Sequence, residues 1–112
     1  MKQLKHLLAS VLFLVPLGLA AHPGHGNEEP VTQEQAALNG DRVVVALVQS
    51  NKLAASWQGR AHKAIETRQT SVGPIWVVSY ENAAESDKAK QTLYLFFDEY
   101  GGFIGGNHTG KF

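Results

Sequence analysis

The residues best placed to do chemistry in this chain are His22 and His25, in the run Ala21-His22-Pro23-Gly24-His25-Gly26. Imidazole is a favoured ligand of Cu(II), and a free main-chain amine beside it completes a chelate. A chain cut before His22 carries amine and imidazole on one residue, a two-point grip that His25 can join. A chain cut before Ala21 carries amine, amide and imidazole in sequence. Pro23 has no amide N–H, so the amino-terminal copper and nickel motif with histidine third is blocked. The competing reading is a solvated tail whose histidines bind nothing, since two-ligand matches are common by chance. His62 and His108 read as surface strand residues rather than ligands.

The other reactive groups do not assemble into a known device. The chain has no cysteine, which excludes thiol catalysis and iron–sulfur binding. It has no Gly-x-Ser-x-Gly elbow, no Walker loop and no His-Glu-x-x-His helix. The run Gly101 to Gly106 lacks phosphate-loop spacing and reads as a tight turn followed by a glycine-rich edge strand. Asp98 and Glu99 are adjacent, so on an extended strand they point to opposite faces and cannot share a proton. Both read as turn residues. Trp57, Trp76, Tyr80, Tyr94 and Phe96 offer rings for stacking on a sugar or base, but aromatics at alternate strand positions read as core. Asn107-His108-Thr109 matches the N-glycosylation pattern, which would have no meaning in a bacterium, the source that the short Lys-rich leader suggests. No nucleophile–base pair or carboxylate pair is visible, and the sequence points away from an enzyme.

Residues 1–21 have the form of a cleaved signal peptide. Lys2 and Lys5 give a positive start, and Leu7 to Ala20 is apolar apart from Ser10. That stretch falls short of the roughly 20 apolar residues that cross a bilayer core. Gly18 and Ala20 stand at the −3 and −1 places for cleavage before Ala21, and cleavage before His22 is the alternative. Residues 22–30 then hold prolines, glycines and acids with nothing to bury, which predicts a flexible tail. With the leader gone, the ten basic residues fall to eight against ten acidic ones, a net of about −2. Such a balance argues against nucleic acid and against an anionic membrane surface. The expected product is soluble and periplasmic, with no membrane contact after cleavage and no disulfide to help a small core.

Residues 31–112 are expected to form a single α+β domain. Val31-Thr32-Gln33-Glu34-Gln35 reads as a capping box with a hydrophobic staple. Ala36, Gly40, Val43 and Leu47 recur at helical spacing, with Ala37, Val44 and Val48 beside them, and Asn51 suits a left-handed stop. A helix over about 33–50 is favoured. The alternative is a hairpin at Asn39-Gly40 with a strand over Arg42 to Val48. In the helix Gly40 costs roughly 1 kcal/mol against alanine, for which close approach to a sheet is the expected compensation. Beyond Trp57 the pattern turns to period two. It predicts strands over 62–70, 75–80, 91–98 and about 103–108, with a break at Val72-Gly73-Pro74 and a polar loop over 81–90. Trp76, Val78 and Tyr80 share one face, and Leu93, Leu95 and Phe97 are expected to meet the helix. The fold class is therefore one N-terminal amphipathic helix packed on a three- to four-stranded antiparallel meander.

The helix with small-residue spacing, the Pro74-x-Trp76-x-Val78-x-Tyr80 strand and the apolar strand ending in Asp98-x-x-Gly101-Gly102 are similar to PepSY-like modules. The chain more closely resembles a family of short, uncharacterised secreted proteins of Gram-negative bacteria, with His-rich mature N-termini and a Lys90-Gln91-Thr92-Leu93-Tyr94 strand. The resemblance covers most of residues 30–112. It implies a periplasmic location and the helix rather than the hairpin, and it carries no established activity. PepSY-type modules are thought to act as inhibitory or interaction domains, an analogy from fold alone.

The expected function is thus a non-enzymatic periplasmic module that binds an unknown protein or small ligand, without a cofactor. The alternative is a copper-handling accessory protein using the mature N-terminus with His22 and His25. Calorimetry of the mature chain tests that alternative. One Cu(II) should bind, more weakly as pH falls through the imidazole range near 6.5. Acetylating the amine should cost about as much as His22→Ala, because each removes half of one chelate. Undiminished binding by His22→Ala/His25→Ala would leave the tail as a linker only.

Overall fold

The structure, a computed structural model, describes residues 29–112. The leader assigned to residues 1–21, and His22 and His25 with it, lie outside the described residues. Within them the chain forms one helix, α1 (Gln33–Gln49), two 3-10 turns (Ala55–Trp57 and Lys88–Lys90), and four strands. The strands are β1 (His62–Thr70), β2 (Gly73–Glu81), β3 (Thr92–Asp98) and β4 (Phe103–Asn107). They pair antiparallel in the order β1-β2-β3-β4, a meander with no crossover.

The helix begins and ends on side-chain chemistry. The Thr32 Oγ1 accepts from the Gln35 amide at 3.1 Å, and the Gln35 side chain accepts from the Thr32 amide at 2.9 Å, a complete capping box. At the far end Asn51 adopts φ 64°. Its amide donates to Val48 O at 3.0 Å while that of Lys52 donates to Leu47 O at 2.8 Å, which is a Schellman stop. The Asn39-Gly40 hairpin does not form, because the helix runs unbroken through both residues. Ala36, Gly40, Val44 and Leu47 are buried, and Val43 and Val48 pack at the flanks.

The expected break at 72–74 is narrower than the sequence suggested. The turn is Ser71-Val72 alone: the Thr70 hydroxyl donates to Gly73 O at 2.7 Å and accepts from the Val72 amide at 3.1 Å, and Gly73 takes φ 105°. Pro74 lies inside β2, opposite Gln69 of β1. A proline is tolerated there because pairing with β3 starts one residue later, at Ile75↔Asp98. The last strand ends at Asn107, not at His108.

The sheet has an apolar residue on each face at successive positions. Val78, Tyr80, Leu93, Leu95 and Phe97 point at α1, where Leu53 and Trp57 close the core. Ile75, Val77 and Phe96 form a second cluster on the outer face, against which Tyr94 and Ile104 pack. Phe112 lies against Phe96 there, with ring centroids 5.2 Å apart.

Gly40 fixes how closely helix and sheet approach. A Cβ at this position would stand 2.6 Å from the Tyr80 hydroxyl and 3.0 Å from Val78 Cγ1. Alanine would gain about 1 kcal/mol of helix propensity but would overpack a site where such insertions cost about 1–3 kcal/mol. Gly40→Ala should therefore lower stability in urea unfolding. In a Tyr80→Phe background the closest atom is gone, so the same substitution should cost less. A stabilising Gly40→Ala, or equal costs in both backgrounds, would refute the steric account.

Candidate functional site

Asp98 and His108, the acid and the histidine singled out by the sequence that lie near the end of the sheet, are engaged in holding the fold. Asp98, the last residue of β3, accepts on Oδ1 from the amides of Tyr100 at 2.8 Å and Gly102 at 2.9 Å. Gly101 takes φ 92° in this turn, and a Cβ on Gly102 would meet the Asp98 carboxylate at 2.7 Å. The Asp-x-x-Gly-Gly motif is thus a turn whose two glycines answer two different constraints. The same turn docks on the helix start: Glu99 O accepts from the Val31 amide at 2.9 Å, and Gly101 O from the Asn39 side chain at 3.4 Å. Glu99 is a turn residue, in line with the sequence reading, whereas Asp98 ends the strand and points its carboxylate into the turn.

His62 is exposed at the start of β1, as expected. His108 differs from the expectation of a surface strand residue. It lies in a bend past β4, half-buried, with Nδ1 2.7 Å from Thr92 O and its ring 6.1 Å from that of Trp57. The cause is Asn107, whose Oδ1 accepts from the amides of Thr109 at 3.1 Å and Gly110 at 2.7 Å while its Nδ2 donates to Lys111 O at 2.8 Å. That side chain turns the backbone out of the sheet and lays the last residues across the outer face. Among the described residues no group of three or more His, Cys, Asp or Glu could hold a metal ion.

The candidate rings divide between the two faces. Trp57, Tyr80 and Phe96 are buried, and Trp76 and Tyr94 are half-buried. The Tyr80 hydroxyl donates to Asp41 Oδ1 at 2.7 Å. Burial, and then that hydrogen bond, push the phenol well above the ordinary tyrosine value near 10.

The outer face of the sheet carries the feature that sequence reasoning missed. An open concavity of about 390 Å³ lies over Ala64 and Val77, bordered by Lys63, Arg68, Ser79, Thr92 and Tyr94. Its cations are balanced. Lys63 pairs with Glu81, which raises the lysine pKa chiefly through their hydrogen bond. Arg68 donates to Glu66 at 2.9 Å and to Gly110 O at 2.8 Å. The alternation of Val77, Tyr94 and Phe96 was the available signal, but the part played by Gly110 depends on a contact across 42 residues. A second niche, of about 270 Å³, lies between Pro30, Val31 and the Trp76 edge of the sheet.

A model of DUF6488, described as a family of unknown function, matches residues 1–111. The chain belongs to this family. The match takes in the N-terminal 28 residues as well as the described domain. Nothing among the curated proteins or the solved structures matches the chain.

The shifted tyrosine yields a pH prediction. Folding retains the neutral phenol, so its contribution is complete below the unfolded-chain value near 10 and is lost as pH rises above it. Stability of the parent should fall more steeply above pH 10 than that of Tyr80→Phe. Parallel curves for the two proteins in alkaline urea titrations would contradict the burial of this hydroxyl.

Proposed function

We propose that this chain is an exported, non-enzymatic module that binds a protein or small ligand in the periplasm through the outer face of its sheet. The observation that carries the reading is the concavity over Ala64 and Val77, where charge-balanced and hydroxyl side chains surround an apolar floor. Ligand and partner surfaces have that composition, with a few polar groups around an apolar base. The commitment of Asp98, Asn107 and His108 to the backbone is consistent with a binding role rather than with catalysis. A single helix on an antiparallel meander is the arrangement that the PepSY resemblance implies, and PepSY-like modules are interaction domains by analogy. Export is supported by the n-region, apolar run and small-residue end of residues 1–21.

A second reading, copper handling, is favoured by the position of His22 and His25 just behind the proposed cleavage site. Copper titration separates it from the first, because the outer face contributes nothing to an amine–imidazole chelate.

Protein recovered from the periplasm should show by intact mass the loss of residues 1–20 or 1–21. Immobilised mature protein should retain from periplasmic extract a component that Thr92→Arg, which fills the concavity, no longer retains. A full-length mass in the membrane fraction would overturn export. Equal retention by parent and variant would remove the outer face from the proposal.

A further inference from the structure

We propose that the edge of β1, unpaired among the described residues, pairs with the β1 edge of a second copy of this chain, joining two meanders into one eight-stranded sheet. β1 ends the sheet order, and its nine residues are largely exposed. A strand of this length at an edge offers a row of main-chain donors and acceptors to another strand. Those groups supply the attraction regardless of sequence, so side chains must choose the partner and the register.

The charges on β1 choose both. Two copies related by a twofold axis pair antiparallel, and each register is named by the residue at its centre. Centring on Glu66 sets two carboxylates opposite one another, and centring on Arg68 sets two guanidinium groups opposite one another. Centring on Thr67, between them, sets Glu66 opposite Arg68 twice. Glu66 and Arg68 already touch within one copy at 2.9 Å. The Thr67 register therefore closes a square of four charges alternating in sign around its rim. Thr67 faces Thr67, Ile65 faces Gln69, and Lys63 meets no second cation. Opposite charges across strands are favourable and like charges unfavourable, so one register is selected from three neighbours. Because Thr67 shares the face of Trp76, its partner across β2, both helices lie on the same side of the joined sheet.

This inference does not rest on ligand binding at the outer face, although Glu66 and Arg68 also border that concavity, so association is read by mass alone. It is tested by sedimentation of protein expressed from the full chain with its leader, over a concentration series. Twice the monomer mass is expected. Glu66→Arg and Arg68→Glu each place like charges together at both pairs and should weaken association at least about tenfold, about 1.4 kcal/mol. The double exchange Glu66→Arg/Arg68→Glu restores the alternation and should restore the dimer. The chain has no cysteine, so a single introduced thiol reports the register without background. Thr67→Cys should oxidise to a covalent dimer. Gln69→Cys should not, since its two copies stand about 13 Å apart along the strands, beyond disulfide reach of about 7 Å. A parent monomeric at every concentration, a double variant that stays monomeric, or Gln69→Cys cross-linking as readily as Thr67→Cys would each overturn the proposal.

Discussion

The rest of the domain depends on one missing methyl group. At Gly40 the helix backbone rests against the sheet so closely that a Cβ would collide with the Tyr80 hydroxyl. The next residue, Asp41, takes the proton end of that hydroxyl. One step of helix thus provides both the space for the ring and the acceptor for its polar tip. Val44 and Leu47 reach the same sheet face, and the buried rings of Tyr80, Phe97 and Trp57 fill the layer this approach defines. A larger residue at 40 would lift the helix from all of them.

Polar side chains satisfy main-chain groups at the places where the chain changes direction. Thr32 opens the helix, Asp98 closes the β3–β4 turn, and Asn107 bends the chain out of the sheet. Asn82, fully buried, donates to Ser56 Oγ at 2.9 Å and accepts from the Ala84 amide at 2.9 Å, which orders the loop between β2 and β3. Buried polar groups without partners are costly, and a chain with no disulfide uses these residues as its fastenings. Among the strands, β1 is the one whose side chains remain largely turned to solvent.

Features governed by neighbouring residues could be read from the sequence. Cap, stripe and stop of α1 lie within 20 residues of one another, and period two marked each strand. The compensation expected for Gly40 also followed, because a glycine among helix formers needs a reason. Pro74 misled because its tolerance depends on where a different strand begins to pair. His108 misled because Asn107 acts as the break, a role its side chain shows only once its partners at 109–111 are placed. The outer concavity is lined from three strands, and Arg68 at its border meets Gly110 O, a contact made only by folding. The reading of His22 and His25 depends on a cleavage event rather than on the fold.

The meander has a kinetic consequence. Each strand pairs with the strand next to it in sequence, so the sheet can grow hairpin by hairpin with short loops to close. Val31 with Glu99, and Asn39 with Gly101, are different, joining the helix start to the last hairpin across 62 residues or more. These contacts cannot form until the final turn exists. A chain emerging N-terminus first would hold its helix ready, rest it on β2 at Gly40 and Asp41, and fasten the start of the helix only when the last hairpin emerged. The last closure would be the start of the helix on the β3–β4 turn, with no thiol chemistry to wait for.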